Sequence, residues 1–177
     1  MGHKYPPGNL VSSVAKAYLL CSTENTFYLA WIMYSNSENI DMERKRIVTE
    51  NDYNRLKSLV EFAGLEAKMP EPVSSLFRKL SAAKKLPQAN IDGGIVTMNS
   101  KVRLKEVNSL RETEVTITYP HDADPRERKI SVLSSVGLAL LGCREHDVVS
   151  WAIPTGIGFF EIVKVTYQPE AAGHFYL

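Results

Sequence analysis

The sequence predicts an α+β protein: an N-terminal antiparallel helical hairpin, forming a short coiled coil, followed by a twisted antiparallel β-sheet wrapped on one short helix. Three observations carry this. Between Thr49 and Ala83 apolar residues recur at helical spacing in two runs, broken by Gly64, Pro70 and Pro72. After Pro87 the apolar period switches to two, the signature of half-buried strands. Finally, Lys129-Ile-Ser-Val-Leu-Ser-Ser-Val-Gly-Leu-Ala-Leu-Leu-Gly142 reads as a short strand, a serine cap at Ser134 or Ser135, one amphipathic turn of helix and a glycine stop.

Residues 1–41 stand apart. Two apolar runs, Leu10 to Cys21 and Thr26 to Tyr34, are each too short to span a bilayer, and Lys16 interrupts the first. Leu19-Leu20 before Cys21 lacks the small residues of a processing site. The expected reading is an extension upstream of a working start near Met42; the alternative is an appendage that packs Trp31 and Tyr34 onto the body.

Residues 42–90 hold the hairpin. Thr49 caps the first helix, Asp52 suits the positive end of its dipole, and Tyr53, Leu56, Leu59, Val60 and Ala63 form its apolar stripe, with Gly64 as the stop. Pro72 suits a first-turn position of the second helix, whose stripe is Val73, Leu76, Phe77, Leu80 and Ala83. A short connection makes the two antiparallel neighbours.

Residues 91–177 hold the sheet. Val96, Met98, Val102 and Leu104 alternate with polar positions, and Glu114 to Tyr119 alternates again, with Asn108-Ser109 as the hairpin turn between them. Pro120 to Pro125 is a charged loop. Val148 to Ala152 and Phe159 to Tyr167 complete the set, joined by a turn around Pro154, Gly156 and Gly158.

Composition excludes several function classes. A net charge of +1 is too low for a dedicated duplex binder, which needs a basic stripe to displace counterions. The charge is uneven: Met42 to Lys85 carries ten basic and six acidic residues, whereas Asp92 onward carries nine basic and eleven acidic. Such an asymmetry fits a protein whose two parts face different surfaces of a partner, with a solvated face as the plainer explanation. Cys21 and Cys143 form no framework, and His3, His121, His146 and His174 lie at no metal-ligand spacing, so neither disulfide nor zinc is expected. No phosphate-binding glycine loop is present, which argues against a kinase or NTPase.

The stretch from Lys129 to Gly142, followed by Asp147-Val-Val-Ser-Trp-Ala-Ile-Pro154, resembles the C-terminal domain of the GreA/GreB transcript-cleavage factors. The opening Val96-Thr-Met-Asn-Ser100 and the ending Tyr167-Gln-Pro-Glu170 resemble the Rnk branch of that superfamily, and the likeness runs from Met42 to Leu177. The resemblance implies an FKBP-like fold for the sheet and a bacterial RNA polymerase partner. In Gre factors the helical pair is an arm that enters the polymerase secondary channel, and acids at its tip help hold a second magnesium ion in the polymerase active site. Here the tip acids are Glu66 and Glu71, flanking Lys68 and two prolines on a shorter arm, so support of cleavage does not carry over. Arg78, Lys79, Lys84 and Lys85 suit RNA, an acidic polymerase surface or a solvated face.

Where the family docks on the channel rim through Asp-Ser-Pro, this chain has Leu133-Ser134-Ser135, so Ser134 alone matches. Ser134 and Gly137 are therefore the candidate docking residues, with a helix cap and close packing as their plainer roles. The resemblance implies a non-catalytic regulator that competes with or modulates Gre factors. The alternatives are an authentic transcript-cleavage factor and an FKBP-like peptidyl-prolyl isomerase. No catalytic residue, metal or cofactor, no sequence-specific nucleic-acid contact and no membrane association are expected, and the protein is expected to be a cytoplasmic monomer.

Overall fold

The computed structural model describes residues 45–63 and 70–176. The segment 1–41, the stop Gly64 and the tip residue Glu66 lie outside the described residues.

Two amphipathic helices open the described fold. Strand β1 (Ile47–Thr49) leads into α1 (Glu50–Ala63), and α2 (Glu71–Ala82) leads into β2 (Lys84–Leu86). Thr49 caps α1 as expected, its Oγ1 accepting the Asp52 amide at 2.9 Å. Pro72 sits in the first turn of α2, where a missing amide costs nothing. Leu56 and Val60 from α1 and Val73, Leu76 and Leu80 from α2 are buried in one core with Met98, Val102, Ile117 and Leu140. Phe77, expected in that stripe, is 50% exposed. One residue past Leu76 turns it about 100° away from the buried face.

β1 and β2 pair in parallel, Ile47 opposite Lys84 and Thr49 opposite Leu86. Sequence periodicity gave no sign of them, since three residues are too few to show alternation and β2 is largely exposed.

The second sheet has five strands: β3 (Lys101–Glu106), β4 (Glu112–Thr118), β5 (Lys129–Ser131), β6 (Val148–Ile153) and β7 (Gly156–Tyr167). Their order is β5-β4-β3-β7-β6. The β3–β4, β3–β7 and β6–β7 pairs are antiparallel. The expectation of a wholly antiparallel sheet is corrected at β5, which runs parallel to β4 with Thr116 opposite Lys129. Two 3-10 turns, Pro120–Asp122 and Pro125–Glu127, carry the chain back along β4 before β5 starts. A hairpin would have reversed it.

A second correction concerns residues 95–100. Ile95, Val96, Thr97 and Met98 are all at most 2% exposed, so burial does not alternate there. Only a single bridge, Ile95 to Arg144, touches a sheet pattern, and Asn99 at φ 59° turns the chain into β3. Helix α3 (Ser135–Leu140) follows β5 and precedes β6, placing Ala139 and Leu140 in the common core. Among the described residues no helix is long and apolar enough to cross a membrane.

Candidate functional site

The candidate docking loop leaves β5 at Ser131 and enters α3 through Ser134. Ser134 has extended backbone (φ −72°, ψ 160°), and its Oγ accepts the Gly137 amide at 3.0 Å while donating to the Ser131 carbonyl at 2.7 Å. The Leu133 amide donates in turn to Ser131 Oγ at 3.2 Å. Two serines, Ser131 and Ser134, thus stitch the loop to its own backbone. Leu133 packs against the core and Ser135 is exposed, so the outward face is a hydroxyl beside a half-buried leucine.

Both capping bonds vanish on truncation, so Ser134→Ala is expected to cost about 0.5–2 kcal/mol of stability. A urea midpoint unchanged from the parent would show that the cap carries nothing.

Gly137 is buried, and an alanine Cβ there would fall on the Ser131 carbonyl oxygen and 2.7 Å from Val132 Cα. The packing role foreseen for it is therefore physical necessity: α3 lies against β5 without room for a side chain.

A buried polar network joins the two halves of the fold and absorbs the other conspicuous motifs. Asp52, 4% exposed, accepts the Met98 amide at 3.1 Å and the Tyr119 hydroxyl at 3.3 Å. Burial, aided by the charge of Glu170, pushes its carboxyl from 3.8 up to about 6, while the Met98, Thr49 and Tyr119 hydrogen bonds hold it down. Burial and the Asp52 charge also push the Tyr119 phenol well above its ordinary range, so it stays a donor.

Thr97 Oγ1 donates to Glu170 Oε2 at 2.8 Å and lies 2.9 Å from Ser100 Oγ. Gln168 Nε2 donates to the carbonyls of Asp92 at 2.9 Å and Ile95 at 2.7 Å. The opening and closing motifs are thus two sides of one joint. The sequence reading gave Asp52 only a dipole role, although its i, i+4 spacing to Leu56 and then Val60 puts it on the buried face.

Of the two tip acids, only Glu71 lies among the described residues. It is exposed at the start of α2, and its oxygens accept from Ser74 and Ser75, both at 2.8 Å, and from Arg78 at 3.2 Å. The Ser75 and Ser74 hydroxyls, then Arg78, lower its carboxyl below the usual range. The acid serves its own helix start. Among the described residues no three His, Cys, Asp or Glu side chains converge as metal ligands.

Residues 91–167 match the family described as transcription elongation factor, GreA/GreB, C-terminal. The chain is 32% identical over 136 residues to the regulator of nucleoside diphosphate kinase of Escherichia coli K12, covering 74% of this chain and 96% of that one. It is 31% identical over 140 residues to the transcription elongation factor GreA of Clostridioides difficile strain 630, covering 72% and 86% respectively. Among solved structures, a prokaryotic GreA/GreB transcription elongation factor from Nitrosomonas europaea superposes with a TM-score of 0.61 at 34% identity, covering 71% of this chain and all of that one.

Proposed function

This chain belongs to the GreA/GreB family of transcription elongation factors, with Rnk-type relatives, and from that premise we propose that it binds bacterial RNA polymerase at the secondary channel and acts by occupancy. It modulates elongation or competes with Gre factors and performs no chemistry of its own. The observation that carries the second half of this reading is Glu71. Its carboxylate accepts from two serines and an arginine of its own helix, bonds that a magnesium ion seeking a near-octahedral oxygen shell would have to displace. The loop Leu133-Ser134-Ser135 is the docking element in this reading, with Gly137 beneath it. The protein works as a monomer in the cytoplasm, where its partner is.

Backtracked elongation complexes supply the test. The full chain is expected to bind core polymerase and to slow Gre-stimulated RNA cleavage as its concentration rises, while releasing no RNA fragments itself. Absence of binding, with or without a Gre competitor, would remove the proposal. The likeness to GreA supports a second reading, an authentic cleavage factor. It predicts faster release of short 3′ fragments, lost in Glu66→Ala or Glu71→Ala.

A further inference from the structure

We infer that Arg46 is a positioning residue: by gripping the C-terminal end of α3 it fixes the direction of the α1–α2 pair relative to the loop that carries Ser134 and Ser135. Its Nη1 donates to the carbonyls of Ala139 and Leu141, both at 2.8 Å, and of Leu138 at 3.3 Å. A six-residue helix has few internal partners for its last carbonyls, and a cation there also meets the negative end of the dipole.

The backbone of the same residue holds the helical pair. The Arg46 carbonyl accepts the Lys84 amide at 2.7 Å, where β2 leaves α2, and the next amide, Ile47, donates to the Gly142 carbonyl at 3.1 Å. Gly142 lets the chains approach this closely: at φ +78° it suits only glycine comfortably, and a Cβ would sit 2.9 Å from Arg46 Cβ. One residue therefore fastens the base of both helices to the back of α3. The serine loop lies at the front, about 9 Å away at 1.5 Å per residue.

The apolar core under Leu56, Val60, Val73, Leu76 and Leu80 seats the pair, and two polar fastenings set its direction. The first is Asp52, bonded to Met98 and Tyr119 at the start of α1. Arg46 is the second, on a different element and in a different direction. The consequence rests on the docking reading above: once the loop is seated on polymerase, Arg46 determines where the helical pair points. Seating and occupancy become separable properties.

The experiment uses the full chain with Cys21→Ser and spin labels at two exposed positions, Phe77→Cys on α2 and Ile157→Cys on β7. Distances are read without polymerase, and affinity for core polymerase and potency against Gre-stimulated cleavage are read on the unlabelled protein. Arg46→Met is expected to broaden the distance distribution. It should also lower potency about tenfold, a typical coupling between sites, with polymerase affinity held. Arg46→Lys, which restores a cation at the helix end, is expected to narrow the distribution again.

A parental distribution in Arg46→Met, an Arg46→Lys protein as broad as Arg46→Met, or affinity and potency falling in the same proportion would each overturn the inference. If Arg46→Met fails to fold, Arg46→Gln takes its place with the same readouts. A parent protein that does not bind polymerase sinks the docking reading alone, because the distances still decide what Arg46 does.

Discussion

Gly137→Ala is expected to abolish folding of the sheet, with a loss of about 4 kcal/mol or more, at the severe end for single substitutions. The added methyl would meet the Ser131 carbonyl oxygen, lie 2.7 Å from Val132 Cα and 3.0 Å from the Ser131 carbonyl carbon. All three are backbone atoms, and neither residue is free to retreat. Ser131 holds both the Ser134 amide, at 3.0 Å, and its hydroxyl, at 2.7 Å, while the Val132 amide donates to Thr118 at 2.9 Å.

Overpacking against movable side chains costs about 1–3 kcal/mol; here relief requires parting α3 from β5. Gly173→Ala is the control, because Gly173 has φ +73° and open space around it, so only conformational strain of about 1 kcal/mol is expected. Urea denaturation of both variants decides. A Gly137→Ala midpoint as high as that of Gly173→Ala would show that α3 sits further from β5 than described.

Asp52→Asn is expected to make the protein more stable at neutral pH and to flatten its stability profile. The folded-state carboxyl is raised from 3.8 to about 6, so between those values the folded protein holds a proton that the unfolded chain has released. The associated stability is fully present below the unfolded value and is lost as pH rises through about 6. Two units or so correspond to about 3 kcal/mol.

Asparagine keeps an oxygen for the Met98 amide and never ionises beside Glu170. Denaturation of parent and variant across this range is the check: the gap is expected to be widest above neutrality and to close toward pH ~4. A parent protein more stable than the variant at neutral pH would mean that the charge is better solvated than its 4% exposure implies.

What could be read from the sequence was local and periodic. Thr49 and Ser134 cap their helices because a short hydroxyl before an apolar repeat has one good use, reaching an amide two or three residues on. The β6–β7 hairpin was legible because its strands are long enough to alternate. Signals failed where three-residue strands show no period, as in β1 and β2, and where burial covers every side, as at residues 95–98. The parallel placement of β5 depends on turns that steer the chain, and no pattern in β5 itself records it.

The candidate site divides along the same line. Ser134 and Gly137 stand in one continuous motif and were found together. Asp52, Thr97, Tyr119 and Glu170 are scattered over more than a hundred residues of chain, and only folding brings them together. Arg46 is likewise remote from the carbonyls it meets at the end of α3, 92 to 95 residues along the chain. A charged residue just before a strand gives no hint of which helix it will cap.

The strand order carries a consequence for synthesis. β3 lies between β4 and β7, yet β7 is translated more than fifty residues after it. On the ribosome β3 and β4 emerge as a two-stranded hairpin with one flank bare, and such a ribbon is marginal by itself. The β1–β2 pairing is complete by Leu86, but the buried faces of α1 and α2 wait for Met98, Val102, Ile117 and Leu140. The sheet, in turn, closes only when the last strand arrives and Gln168 and Glu170 reach back to Ile95 and Thr97. Pairings this distant in sequence are slow to form, so until β7 pairs the nascent chain offers the flank of β3 to any passing strand.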